Sequence, residues 1–232
     1  MTGSRMPSLQ PPAVAPEGAA DAGAFLVRLL RLDQQALVRL RPVRTGFAAM
    51  WARLPFGVLA TRLVASSLTQ DATLRAADLL RLLEREADNA PERLDLAWRT
   101  PLPPSSGDVL EQVPAKDLQR ISEAAADTMR AAGGRGVGER RLRDALLDQV
   151  VLTVTVPAPG GGQEDSIEVP LRLVQGLVRM GFLGGEDAPP ARIRRSAGWL
   201  GVEARYGAAW HRPASPLRIT GTGFGNGRPV PT

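Results

Sequence analysis

Apolar and polar positions change their period several times along the chain, and each change marks an element. Between residues 21 and 32, Phe25, Leu26, Leu29, Leu30 and Leu32 recur at helical spacing around Arg28 and Arg31, which predicts a short amphipathic helix. Residues 45–54 and 57–65 are instead aromatic, β-branched and small, and Leu54-Pro55-Phe56-Gly57 splits them. That punctuation predicts an antiparallel hairpin. Pro55 suits the second position of a type I turn and not a type I′ turn, so the pattern leaves loop length and register open. A turn centred on Pro55 and Phe56 puts Met50, Ala52, Leu54, Leu59 and Leu63 on one face and Trp51, Arg53 and Arg62 on the other. A slip of one residue reverses that assignment, because side chains alternate with a period of two.

Helical spacing returns over residues 70–88, where Ala76, Leu79, Leu80, Leu83 and Ala87 form one stripe. Residues 89–114 hold Pro91, Pro101, Pro103, Pro104 and Gly107 and read as an irregular connection, pinned to a core by Trp98. A helix follows with Leu118, Ile121, Ala125, Met129 and Ala132 on one stripe, ended by Gly133-Gly134, and a shorter one covers 139–147. Residues 150–156 and 166–169 predict a second hairpin around a turn-rich loop. Residues 171–183 predict a helix closed by Gly184-Gly185. Residues 191–195 and 199–210 predict strands around Ser196-Ala197-Gly198, with a further short strand at 217–220.

Strands that come in hairpin pairs between helices make this an α+β chain, antiparallel hairpins packed against several amphipathic helices, rather than a parallel βαβ sheet. The expected organisation is a disordered N-terminal tail over 1–20, a helix-hairpin-helix part over 21–90 and a Pro-rich connection over 91–113. A helical and antiparallel β part over 114–220 and a flexible tail over 221–232 complete it. No internal repeat is visible.

Composition narrows the function mainly by exclusion. The longest apolar stretch, 54–68, is interrupted by Arg62 and is too short to span a bilayer, and the first twenty residues lack the apolar core of a secretory signal. The expected location is cytoplasmic. Cysteine is absent, which removes disulfides, thiolate metal sites and cysteine nucleophiles. Of the 29 basic residues, Lys116 is the one lysine. Near-total use of Arg, with heavy Ala, Gly, Pro, Leu and Val, fits the codon usage of a high-GC genome, so the pI near 10.9 is weak evidence for a nucleic-acid partner. The placement of charge is more informative. Residues 28–62 hold seven Arg against Asp33 alone, and residues 188–232 hold seven Arg against Glu203 alone, while the middle of the chain is net acidic.

No motif for catalysis or cofactor binding meets its structural requirement. Gly133-Gly134-Arg135-Gly136-Val137-Gly138 follows a helix, whereas a phosphate cradle precedes one. His211 is the only histidine, and no Gly-x-Ser-x-Gly elbow accompanies it. Glu84/Asp88 and Asp144/Asp148 lie one helical turn apart but among arginines, which makes solvated ion pairs the simpler account. The expectation is a protein without cofactor or metal and not an enzyme.

The remaining signal is tryptophan among arginines on strands. In the last hairpin, Leu200, Val202, Ala204 and Tyr206 alternate toward a core, which turns Trp199, Glu203 and Arg205 outward, and Arg192 and Arg194 alternate against Ile193. With Trp51, Arg53 and Arg62 of the first hairpin, and with Arg195 and Arg212, these residues form the candidate binding surface. Arginines would contact phosphates and tryptophans would stack on unpaired bases of a nucleic acid. The same residue types also dominate protein interfaces, so an acidic protein partner or a second copy of the chain is the alternative, and burial of the tryptophans in a core is the third reading.

Overall fold

The chain places its polar and apolar strand faces on opposite sides of one large antiparallel sheet. The computed structural model describes residues 14–84, 90–132, 139–156 and 165–213. Helix α1 (Pro16–Leu32) leads into a meander of β1 (Leu37–Arg44), β2 (Phe47–Arg53) and β3 (Leu59–Ala65), then β4 (Ala72–Arg75) and α2 (Ala76–Leu83). After a single 3-10 turn at Asp95–Ala97 come β5 (Asp108–Val113), α3 (Ala115–Ala132) and α4 (Glu139–Asp148). The hairpin β6 (Val150–Val156) and β7 (Asp165–Pro170) precedes α5 (Leu171–Met180) and a second meander of β8 (Ala191–Ser196), β9 (Trp199–Ala204) and β10 (Gly207–His211).

The eight-stranded sheet runs β4-β1-β2-β3-β10-β9-β8-β5, and β6 and β7 form a separate pair. A helix followed by a three-stranded meander thus occurs twice, as α1–β3 and α5–β10, and the two meanders join where β3 pairs with β10. One further strand flanks each, β4 beside β1 and β5 beside β8. The repeat is in the backbone and not in the residues.

One face of the sheet is the core. Val38, Leu40, Met50, Ala52, Ala60, Val64, Leu74, Ile193, Val202 and Ala209 are buried there against Phe25, Leu26 and Leu29 of α1 and Leu173 and Leu177 of α5. Phe25 also stacks on Phe182, with ring centroids 6.2 Å apart. The helix α5 ends at Met180, three residues short of the expected end at Leu183. Gly181 takes a left-handed φ of 67°, and the Gly181 and Phe182 N–H groups donate to the Val178 and Leu177 carbonyls, closing the helix with the paired bonds of a Schellman motif.

The sequence pattern and the fold differ at several places for physical reasons. Residues 14–20 of the stretch expected to be a tail are structured: Val14 is buried, the Ala15 N–H donates to the Ala65 carbonyl and α1 starts at Pro16. Residues 1–13 and 214–232, including the expected tail and the strand at 217–220, lie outside the described residues, as do Ala87 and the glycines at 133–138. The long helix expected over 70–88 is a strand and then a helix, since Ala72–Arg75 completes the ladder of β1. Residues 33–44, left unassigned by pattern, contain β1, and residues 108–113 of the expected irregular connection form β5. The single strand expected over 199–210 turns at Arg205-Tyr206, so Tyr206 leaves the core face and is exposed.

The largest correction concerns the first hairpin. Arg53 pairs with Leu59 across a loop in which the Leu54 N–H donates to the Val58 carbonyl at 2.7 Å and Gly57 takes a φ of 76°. The turn therefore centres on Phe56, one half-step beyond the expectation, and β3 is slipped by one residue. Arg62 now pairs with Met50 on the helical side, and Leu59 and Leu63 share the other face with Trp51 and Arg53. Arg62 is 9% exposed and is not on the basic surface; its guanidinium bridges to Asp21 of α1 and lies 5.5 Å from the Tyr206 ring centroid.

Candidate binding surface on the outer sheet face

Strand register brings the outward residues into rows. Thr73, Arg39, Trp51, Thr61, Ala208, Glu203, Arg192 and Gln112 are successive partners across all eight strands. The neighbouring row contains Arg53, Leu59, Trp210, Gly201 and Arg194. Cationic side chains thus flank an apolar centre. The eight strands carry nine arginines and three carboxylates, whereas α3 on the opposite side carries three of each sign. The basic character belongs to the sheet.

All four tryptophans meet at that apolar centre. Trp199 and Trp210 are buried with Leu59 and Ala208, and Trp51, Trp98 and Leu102 pack against them. Trp210 lies over Gly201, where an added Cβ would sit 2.5 Å from its ring, so only glycine fits beneath the indole. Trp199 does point to the outer face as its alternation predicts. It is 7% exposed, however, and offers no open platform for a base.

What seals it is the Pro-rich connection, which crosses the outer face as a strap. At one edge the Leu94 N–H donates to the Thr73 carbonyl, the Thr73 N–H donates to Asp95 and Arg93 bridges Asp95 and the Asp71 carbonyl. Toward the other edge, on β8 beside the edge strand β5, Arg194 donates to the Gly107 carbonyl at 3.0 Å, and the Ser196 hydroxyl donates to the Ser106 carbonyl. Eight strands spaced at about 4.8 Å span roughly 34 Å, and the chain from Leu94 to Gly107 reaches roughly 40 Å when extended. Prolines that hold an extended backbone suit this crossing. Trp98 and Leu102 anchor its middle.

The expected site residues therefore divide. Arg53 and Arg192 are exposed on the outer face, Arg205 is exposed in the β9–β10 turn with its guanidinium 5.4 Å from the Tyr206 centroid, and Arg212 is exposed beyond β10. Arg194 is on that face but is held by Glu203 and Gly107. Trp51 is half-buried at the edge of the tryptophan cluster. Arg195 pairs with Leu200, and so belongs to the opposite side of the sheet from Arg192 and Arg194, at a different cleft. Pattern reading missed Arg39, Arg41 and Arg75, although the alternation of Val38 and Leu40 with Arg39 and Arg41 was the signal that could have found β1. Arg39 is paired with Asp71, while Arg41 is exposed.

Between the strap and the β9–β10 turn the outer face opens into a groove of about 780 Å³. Val43, Leu63 and Tyr206, exposed by 57%, 45% and 41%, line it together with Arg41 and Arg205. Three large apolar side chains beside arginines on one groove distinguish it from scattered surface apolar residues.

The cleft of about 560 Å³ at the far end of β10 holds the single histidine. The His211 Nδ1 is 3.1 Å from the Gly57 carbonyl, and Arg172 donates to the Phe56 carbonyl and pairs with Asp148. Burial pushes the His211 pKa below 6.5; the Gly57 hydrogen bond and Asp148 oppose the shift and the Arg172 charge adds to it. The histidine braces the β2–β3 turn. Among the described residues no cluster of three metal-ligating side chains occurs, and no helix is long and apolar enough to cross a membrane.

Residues 10–100 match the family model described as a domain of unknown function, DUF8010, and residues 102–216 match a second one, DUF8185. The two meet within the strap. No curated protein matches. Among solved structures, the DNA polymerase sliding clamp of Pseudomonas aeruginosa is similar at a TM-score of 0.55 and 10% identity, over 85% of this chain and 63% of the clamp. The DNA polymerase III beta subunit of Thermotoga maritima is similar at 0.51 and 9% identity, over 86% and 63%, and the sliding clamp of Caulobacter crescentus at 0.50 and 14%, over 86% and 65%. The chain spans less than two thirds of the length of these proteins. At such identities the likeness is one of fold.

Proposed function

We propose that this chain is a non-enzymatic binding protein that associates with nucleic acid through the arginine-bearing outer face of its eight-stranded sheet. The observation that carries the reading is the segregation of charge: Arg39, Arg41, Arg53, Arg75, Arg192 and Arg194 share the outer face with the single strand carboxylate Glu203, whereas α3 is charge-balanced. Its likeness in fold to sliding clamps of DNA polymerases agrees with a DNA-associated role. The contact is chiefly with phosphates, because the strap and the strands bury Trp199 and Trp210 and offer neither as a platform for a base. Arg41, Arg53, Arg192, Arg205 and Arg212 are the residues to test. Anisotropy titrations of labelled duplex should give an affinity that falls steeply with salt. Replacing Arg53 or Arg192 by Ala should lower the slope of that dependence by about 1 each, without sequence preference. No binding at low salt, or an unchanged slope in both variants, rejects the reading.

A second reading rests on the groove. Apolar side chains beside Arg41 and Arg205 fit an acidic protein segment that carries large apolar residues, which makes the chain an adaptor. Leu63→Asp should then abolish binding of a labelled peptide alternating Asp and Leu while leaving duplex affinity unchanged. Equal loss of both ligands would mean that a single basic surface serves them.

A further inference from the structure

The strand edges of this fold are guarded unequally, and the exception is β6. The β4 edge of the large sheet is blocked, because Leu94 and Asp95 of the strap hydrogen-bond to the Thr73 backbone. The opposite edge, β5, carries Asp108 and Glu111 and an irregularity between Val109 and Glu111. Charges and bulges of this kind keep edges from pairing with another chain. In the separate hairpin, β7 carries Asp165, Glu168 and a terminal Pro170. Its partner β6 reads Val150-Val151-Leu152-Thr153-Val154-Thr155-Val156, with no charge, no proline and no glycine.

Only one edge of β6 is paired, by β7, among the described residues. The inner face of the hairpin is anchored by buried Val154 and Val169, while Thr153, Thr155 and Ser166 are exposed and Val150 is 41% exposed. The core holds the hairpin through that inner face, and the unpaired N–H and C=O groups along the β6 edge remain a template for a further strand. We propose that two copies of this chain associate through β6, antiparallel and about a two-fold axis, to give a four-stranded sheet in the order β7-β6-β6-β7.

Charge and symmetry select this occupant. A two-fold axis sets a strand against itself, so β7 against β7 opposes Glu168 residues, and β5 against β5 opposes Asp108 and Glu111. For β6 the same operation brings threonines and valines together, which are favourable cross-strand neighbours. Pairing at the β6 edge does not involve the arginine surface.

The test is the mass of the full-length chain by sedimentation equilibrium over a dilution series. The expected result is a monomer–dimer equilibrium. Thr153 and Thr155 are exposed and Glu168 lies opposite Thr153 across the hairpin, so in a Glu168→Gln background the double variants T153K/T155K and T153E/T155E should each dimerise at least tenfold more weakly than Glu168→Gln alone. Mixing the two should restore a dimer. Hydrogen exchange on the unmodified protein supplies a second measurement, in which β6 amides gain protection as concentration rises. A monomer at every concentration, a dimer that both variants leave intact, or concentration-dependent protection confined to strands other than β6 overturns the proposal.

Discussion

Gly201 lies under the indole of Trp210, and a Cβ at that position would stand 2.5 Å from Trp210 Cε3. The pair fixes how the tryptophan cluster sits on β9. Gly201→Ala must push the ring away from Leu59 and Trp199 and should lower stability by about 1–3 kcal/mol, the usual cost of overpacking. Gly185→Ala, which meets nothing within 4 Å, serves as the control. Urea unfolding of both variants decides this; equal midpoints would show that the cluster yields freely.

Arg62 and Asp21 tie β3 to α1 from the core side of the sheet. Removing one partner of a buried pair strands the other charge, whereas replacing a buried arginine with an apolar side chain of similar length leaves no charge behind. Asp21→Ala should therefore be more destabilising than Arg62→Met, by no more than about 1 kcal/mol because Arg62 is buried but Asp21 is exposed. The reverse order in thermal or urea unfolding would mean that Arg62 acts through packing and Tyr206 rather than through the pair.

The strap shields the cluster chiefly with Trp98 and Leu102. Trp98→Ala should raise the acrylamide quenching of the three remaining tryptophans and cost about 2 kcal/mol, less than a fully buried tryptophan because Trp98 is half-buried. If quenching stays constant, the strands alone seal Trp199 and Trp210.

His211 is a clean pH probe because it has no companion of its type. Its folded pKa lies below 6.5, so the unfolded chain takes up the proton first as pH falls. The contribution is therefore fully present above about pH 6.5 and is lost on acidification down to the lower folded value. His211→Gln should flatten this part of the stability profile between pH 8 and 5. An NMR titration of the single imidazole at or above 6.5 would contradict it.

Periodicity located many elements. The stripe from Leu118 to Met129, the run of β6 and the face of β9 carried by Leu200 and Val202 follow from local spacing, because each element buries its own apolar side regardless of what covers it. Thr73 and its neighbours could not be read this way. Four residues are too few to show an alternation, and it is the ladder of β1 that makes them a strand.

The candidate surface was legible in part for a related reason. Alternation alone turns Arg53, Arg192 and Trp199 outward, and the uneven placement of arginine marks the strands that carry it. What covers a face is a long-range property. The burial of Trp199 depends on strand neighbours and a strap that starts at the far edge of the sheet, and Arg62 changes sides because a five-residue loop shifts one ladder by a single step. Thus the sequence by itself determined the α+β class, the helix stripes and the charge of the strands, all set by residues near one another in the chain. Only the tertiary structure decided which side of β3 faces the helices and that the tryptophans are sealed rather than offered. Register and coverage are fixed by contacts between distant segments, and no local period encodes them.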